Sequence, residues 1–291
     1  MKIIFAVSHS QIACQAAELL TRLPWVEKPS ICLISVMHEG APSTFGTKPN
    51  QASEAEKREL ELAQQQVGKI LQAGQLSHTS LIVSGRAKQQ LLDRARELEA
   101  DLIVLGAADR SGLARAVLGS TSDYVANHAQ CSTLIVHSSE KGVNDASGLK
   151  VVLAYDGSVG AQEACRQLHS FNWGVSSKIS VAAFLERPSL LPETEIYDAE
   201  AIENAERITS QVCESIDNGA HVYNVVRESL HIGSGLQQHI HEQAADLVFC
   251  GATSASGISA WIVGSVTRHL LHHAHTSIWV AKQKNWSNNP K

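Results

Sequence analysis

The 291-residue chain has no C-x-x-C pair, no apolar run approaching the roughly 18 residues of a membrane span, and no excess of positive charge. Each absence removes a class of protein. The six cysteines, Cys14, Cys32, Cys131, Cys165, Cys213 and Cys250, stand far apart. That spacing argues against a zinc site or a disulfide frame and for reduced thiols in a cytoplasmic protein, most of them serving as small core residues. The opening "MKIIFAVSHS" turns polar at Ser8, which suits a buried first strand better than a signal peptide. A formal net charge of −5 gives no electrostatic reason to expect nucleic acid or an anionic membrane as partner.

Catalytic signatures are missing too. There is no H-E-x-x-H and no G-x4-G-K-S/T, and "GSVGA" (157–161) does not fit the nucleophile elbow G-x-S-x-G. No catalytic residue is assigned, and only Asp156 stands out as a base for slow ATP hydrolysis.

What the chain does have is repetition. "KIIFAVSHS" at residue 2 returns as "KVVLAYDGS" at residue 150, an offset of 148. Gly106, Gly119 and Ser120 return as Gly251, Gly264 and Ser265 at an offset of 145. Within each half, short apolar runs alternate with amphipathic stretches. The runs are "KIIFAV", "SICLISVM", "TSLIVS", "DLIVLG" and "STLIVH", then "KVVLAY", "KISVAAF", "AHVYNVV", "DLVFCG" and "TSIWVA". Helices are expected at 10–21, 52–74, 86–98 and 120–129, and again at 159–169, 195–217, 233–244 and 264–274. Such alternation predicts α/β architecture with two tandem, doubly wound, five-stranded parallel-sheet domains, at 1–138 and 149–283. Residues 139–148, polar and glycine-bearing, read as the linker. The halves are expected to join as a pseudo-dimer through "STLIV" and "TSIWV"; a homodimer of whole chains stays open.

In open parallel sheets, ligands bind beyond the carboxyl ends of the strands, at the point where strand order reverses. The stretches "GAADRSGLARAVLGS" (106–120) and "GATSASGISAWIVGS" (251–265) each begin at such a strand end and finish in Gly-Ser at a helix start. Free backbone N–H groups there, helped by the helix dipole, suit an anion. Together with "AYDGS" (154–158), these motifs resemble the universal stress protein family, whose nucleotide-binding members carry G-x2-G-x9-G-S/T after the fourth strand and an Asp ending the first. The resemblance covers nearly the whole chain. It implies a Rossmann-like fold related to adenine nucleotide alpha hydrolases, and ATP, with Mg as its companion, as ligand.

Both halves depart from that pattern at its second glycine, with Asp109 in one and Ser254 in the other. A carboxylate about 5 Å from a phosphate charge, at an effective dielectric of about 20, costs roughly 3 kcal/mol, or roughly a hundredfold in affinity. Arg110 would offset part of that cost. The first half also has Ser8 where the family has its acid, so its site reads as degenerate. The second half keeps Asp156, Gly157 and Ser158, and its loop carries no charge. The candidate binding residues are Asp156, Gly157, Ala183, Gly251, Ser254, Gly264 and Ser265. Ala183, with Tyr155, is placed near the adenine by resemblance, and Thr253 adds a hydroxyl. Ser254 fits only where φ is not positive.

Three other features have plain explanations. His269, His272 and His273 have i, i+3 and i, i+4 spacings that allow a shared metal, but histidines near a helix C-terminus also serve the dipole; no metal site is assigned. Residues 52–69 read as a solvated helix face. The stretch 38–51 reads either as a flap over the first site or as disorder. The leading reading is a cytoplasmic stress-response protein that binds an adenine nucleotide in its second half as a regulatory ligand. The alternatives are an interaction module without nucleotide and a weak ATPase.

Overall fold

The apolar runs form strands and the amphipathic stretches form helices in the computed structural model, which describes residues 1–8, 11–38, 49–107, 118–138, 148–187, 199–216, 219–254 and 261–286. The first half runs β1 (Lys2–Ala6), α1 (Gln11–Arg22), β2 (Ser30–Met37), α2 (Pro49–Ala73), β3 (His78–Ser84), α3 (Ala87–Glu97), β4 (Leu102–Gly106), α4 (Ser120–His128) and β5 (Ser132–Val136). The second runs β6 (Lys150–Ala154), α5 (Val159–Leu168), β7 (Lys178–Glu186), α6 (Ala199–Ser215), β8 (His221–Ser229), α7 (Ile232–Glu242) and β9 (Leu247–Gly251). It ends with β10 (Thr253–Ser254), β11 (Trp261–Ile262), α8 (Ser265–His273) and β12 (Ser277–Ala281). Residues 39–48, which hold most of the stretch read as a flap, and 139–147, which hold most of the linker, lie outside the described residues.

Each half orders its strands in the same doubly wound way, and the two sheets merge into one of ten strands, β3-β2-β1-β4-β5-β12-β9-β6-β7-β8. Every pairing in it is parallel except the central one. There β5 and β12 run antiparallel, with Leu134 opposite Trp279 and Ile135 opposite Ile278. Alternate residues feed opposite faces. Ile3, Phe5, Val104, Leu153, Phe249 and Trp279 enter one layer with α1, α2, α5 and α6. Ile4, Ile103, Val152, Val248 and Ile278 enter the other with α3, α4, α7 and α8. Both layers run through both halves, so the strands need apolar residues on both sides, which is why their runs are nearly continuous.

The duplication is also legible in hydrogen bonds. Trp25 Nε1 donates to Leu20 O at 2.8 Å, and Trp173 Nε1 to Leu168 O at 3.0 Å, each pair separated from its repeat by 148 residues. At the seam, Trp279 stacks on Phe249 at 5.2 Å between ring centroids and meets Phe171 edge-on at 5.6 Å. Gln167 Oε1 accepts from Trp279 Nε1 at 2.6 Å and from Ser132 Oγ at 2.9 Å, which ties α5 to both seam strands.

Two pseudo-equivalent buried groups have diverged. Lys282 Nζ donates to Ala126 O at 2.7 Å and Ala129 O at 2.9 Å, satisfying carbonyls at the end of α4. Burial pushes its ammonium down to about 8. In the first half that position is His137, 2% exposed, with no hydrogen-bond partner on either ring nitrogen among the described residues. Burial, with His275 adding, pushes its pKa down to about 4.

Truncating Trp279 to Ala should cost about 3–5 kcal/mol of unfolding free energy in urea titrations, because a large aromatic leaves a sealed site and Gln167 loses a donor. A loss under about 1 kcal/mol would show that the seam is not part of the core. His137 gives a pH signature. Its folded pKa lies below the ordinary value, so the stability held by the neutral ring is complete above pH 6.5 and is lost as pH falls through about 4. Stability measured between those limits should fall less steeply with acid in His137→Leu than in the parent.

Candidate functional site

Strand order reverses in the second half between β6 and β9, which are neighbours whose chains leave in different directions. β6 ends at Ala154, and Tyr155 N still donates to Ala182 O at 2.9 Å. The chain then turns. Gly157 takes φ +77°, a left-handed conformation that favours glycine, and Ser158 N donates to Asp156 Oδ1 at 3.0 Å. Ser158 Oγ in turn accepts from Ala161 N at 3.2 Å and caps α5. The Asp156 carboxylate is left exposed at the strand end.

Opposite it, β9 ends at Gly251 in direct backbone contact with Gly160 in the first turn of α5. A methyl group on Gly160 would run into the Ala252 carbonyl, and one on Gly251 into the Gly160 carbonyl. Thr267 Oγ1 donates to Gly251 O at 2.9 Å, anchoring the start of α8 to the same strand end. The first backbone bond of α8 runs from Arg268 N to Gly264 O, so the N–H groups of Ser265, Val266 and Thr267 have no acceptor within the helix. Gly264 caps this helix in extended geometry, φ −65° and ψ 168°. It is glycine for room: a Cβ there would stand 2.6 Å from Thr253 Oγ1.

These parts surround a cavity of about 200 Å³. Asp156 and Ser158 form one side, Gly251, Thr253, Gly264, Ser265 and Thr267 another, and Ala182, Phe184 and Leu236 an apolar wall. Tyr155 also faces it, and burial, with Cys165 and Asp156 adding, holds its phenol above the ordinary value, so it is neutral at pH 7. Cys250, a further wall residue, is pushed up to about 12 by burial and is no nucleophile.

Of the seven candidate residues, Asp156, Gly251, Gly264 and Ser265 line the cavity. Gly157 shapes the turn instead. Ala183 is buried in β7 but is not in the lining; its neighbours Ala182 and Phe184 are. Side chains alternate across a strand, so a placement one residue off moves the contact to the other face of the sheet. Ser254 lies in β10, paired with Trp261 in a two-stranded ribbon where a plain loop was expected. Its backbone is extended, which any residue adopts; its side chain lies outside the described residues. Gly160, Phe184 and Thr267 are absent from the sequence-based set. A glycine in the first turn of a helix, costly by propensity, is the signal that points to the close approach at Gly160. Among the described residues, no group of three His, Cys, Asp or Glu side chains is arranged to hold a metal.

A model of the universal stress protein family matches residues 1–137 and again residues 149–282. The chain belongs to the universal stress protein family. A universal stress protein of Mycobacterium tuberculosis is 27% identical over 201 residues, 64% of this chain and 63% of that protein, so the match spans under two thirds of the relative's length. One from Synechocystis is 29% identical over 148 residues, 46% of this chain and 96% of its own. The crystal structure of a universal stress protein from Archaeoglobus fulgidus shares the fold, with a TM-score of 0.68 over 97% of this chain and 98% of its own at 15% identity.

The two universal stress protein repeats are unequal at the site. Ser122 Oγ donates to Gly106 O at 2.8 Å, the counterpart of the Thr267 bond. Ser8, however, ends its strand without a carboxylate, and Ile12 stands where the second repeat has Gly160. Ile12 is 3% exposed and so close to Gly106 that a Cβ there would stand 2.6 Å from its Cγ2. Helix and strand end thus meet through a side chain in the first repeat and through backbone in the second. Asp109, Arg110, Ser111 and Gly112 lie outside the described residues, as do Ser256 and Gly257.

Giving the second repeat the first repeat's residue, Gly160→Ile, should push α5 off β9 and cost about 1–3 kcal/mol, the usual range for overpacking. Thermal unfolding reads this as a lowered midpoint; an unchanged midpoint would show that the helix has room to spare.

Proposed function

We propose that the second repeat binds an adenine nucleotide as a regulatory ligand. One observation carries this reading: the free first-turn N–H groups of α8 and the Asp156 carboxylate open onto the same cavity at the strand-order reversal. The two groups suit opposite ends of one ligand. Phosphates gain hydrogen bonds and dipole attraction at Ser265, Val266 and Thr267. Ribose hydroxyls are donors that suit Asp156. The apolar wall of Ala182, Phe184 and Leu236 suits a base, and the cavity's size admits a ring system with the phosphates lying outside it over α8.

A regulatory role fits better than turnover. Tyr155 is held neutral and Cys250 is inert, so the cavity wall supplies a binding surface with one exposed carboxylate. Mg²⁺, where it accompanies the nucleotide, would be held chiefly by the phosphates, with the hydroxyls of Thr253 and Ser265 as oxygen donors of the wall on the α8 side. Binding alone can shift a conformational equilibrium if the two states differ in affinity. The interaction-module alternative has its support in the first repeat, where Ser8 stands in place of the carboxylate.

Protein denatured after purification should release an adenine nucleotide identifiable by mass spectrometry. Added ATP at about 100 times its Kd should raise stability by about 2.7 kcal/mol. Asp156→Ala should weaken binding by about tenfold through loss of a charged acceptor, and Gly264→Val should abolish it by filling the space against Thr253. If nothing is released and ATP produces neither heat nor thermal stabilisation, the nucleotide reading fails.

A further inference from the structure

We propose that Arg268 is the residue by which the second repeat selects a ligand with an extended phosphate chain, a nucleoside polyphosphate over a nucleoside monophosphate. This rests on the nucleotide reading of the cavity. Ser265 lines both that cavity and an adjoining open hollow of about 490 Å³, whose other lining residues include Arg268, His269, His272 and His273. A ligand whose first phosphate meets the N-terminus of α8 therefore extends into the hollow.

Arg268 stands three residues past Ser265, a rise of about 4.5 Å along the helix. Helical side chains lean toward the N-terminus, and Arg268 lines the same hollow as Ser265. The side chain is also available. It is exposed, and its hydrogen bond to Asn127 Oδ1 of α4, at 3.4 Å, is long and to a neutral acceptor. It has no ion pair among the described residues. A planar guanidinium offers a phosphate two parallel donors and keeps its charge at every physiological pH.

The neighbouring groups single out Arg268 as the permanent cation. Burial, with His273 and His231 adding, holds the pKa of His269 below the ordinary value, and its Nε2 lies 3.0 Å from Gln237 Oε1 of α7. His272 Nε2 lies 3.7 Å from Asp123 Oδ1 of α4. Asp123 is itself the first repeat's counterpart of Arg268, at the same offset of 145. The two repeats thus place opposite charges one turn into equivalent helices. Only the second suits an anionic tail.

The test is calorimetric titration of AMP and of ATP into the whole chain, comparing the parent with Arg268→Gln and Asn127→Ala. In the parent, ATP should bind about tenfold or more tighter than AMP, as one added charge contact in partly exposed surroundings predicts. Arg268→Gln should remove most of that ratio while AMP stays within about twofold of the parent value. Asn127→Ala should leave the ratio intact, because besides its bonds to Asp123 within α4 it removes only the neutral acceptor of Arg268. An undiminished ratio in Arg268→Gln, or equal losses for AMP and ATP, overturns the proposal. If the parent binds neither nucleotide, the reading of the cavity fails first and the role of Arg268 with it. Far-ultraviolet circular dichroism and the thermal midpoint show that the exposed substitution leaves the fold in place.

Discussion

The antiparallel pairing of β5 with β12 is the constraint on which the rest of the molecule is arranged. It turns two five-stranded sheets into one of ten strands, and it lets each apolar layer continue from one repeat into the other. The seam strands are buried along their whole length, so their backbone groups must be paired, and each repeat supplies what the other lacks. Because all other pairings are parallel, reversing direction at the seam sends the carboxyl ends of the two repeats to opposite ends of the sheet. Their strand-order reversals are consequently far apart. The strand-end chemistry differs between the two repeats.

Three pairs of equivalent positions differ in kind. Gly160 lets α5 touch the end of β9, whereas Ile12 occupies the corresponding space beside Gly106. Arg268 stands where the first repeat has Asp123, reversing the charge one turn into the helix. Lys282 satisfies two carbonyls at the end of α4, whereas His137 is buried without a partner among the described residues. The first two pairs change a helix–strand contact and the charge at a helix start, and the third changes packing.

Much of this is legible in the residues. Runs such as "DLIVLG" and "DLVFCG" are apolar on both sides of a strand and too short for buried helices, so they have to be central parallel strands. The repeat offsets alone pair Gly106 with Gly251, and Asp156 is legible through the family resemblance, as the acid that ends the first strand. What stays hidden depends on the third dimension. The facing of Ala183 turns on strand parity at the end of β7, which a motif does not encode. The β10–β11 ribbon forms because Trp261 and Val263 pack against the second layer, a tertiary effect that overrides the glycine- and serine-rich look of the loop. The bond from Thr267 to Gly251 joins residues 16 apart whose types are common anywhere.

The two repeats are unequal: the second has a cavity with Asp156 at its strand end, and the first has Ser8 in place of that acid and Ile12 packed against Gly106. Stoichiometry tests that inequality most directly. Equilibrium binding of ATP to the intact chain, followed to saturation by calorimetry, should give about one nucleotide per chain under tight-binding conditions and none after Gly264→Val. Saturation near two per chain, or one per chain that survives Gly264→Val, would contradict it.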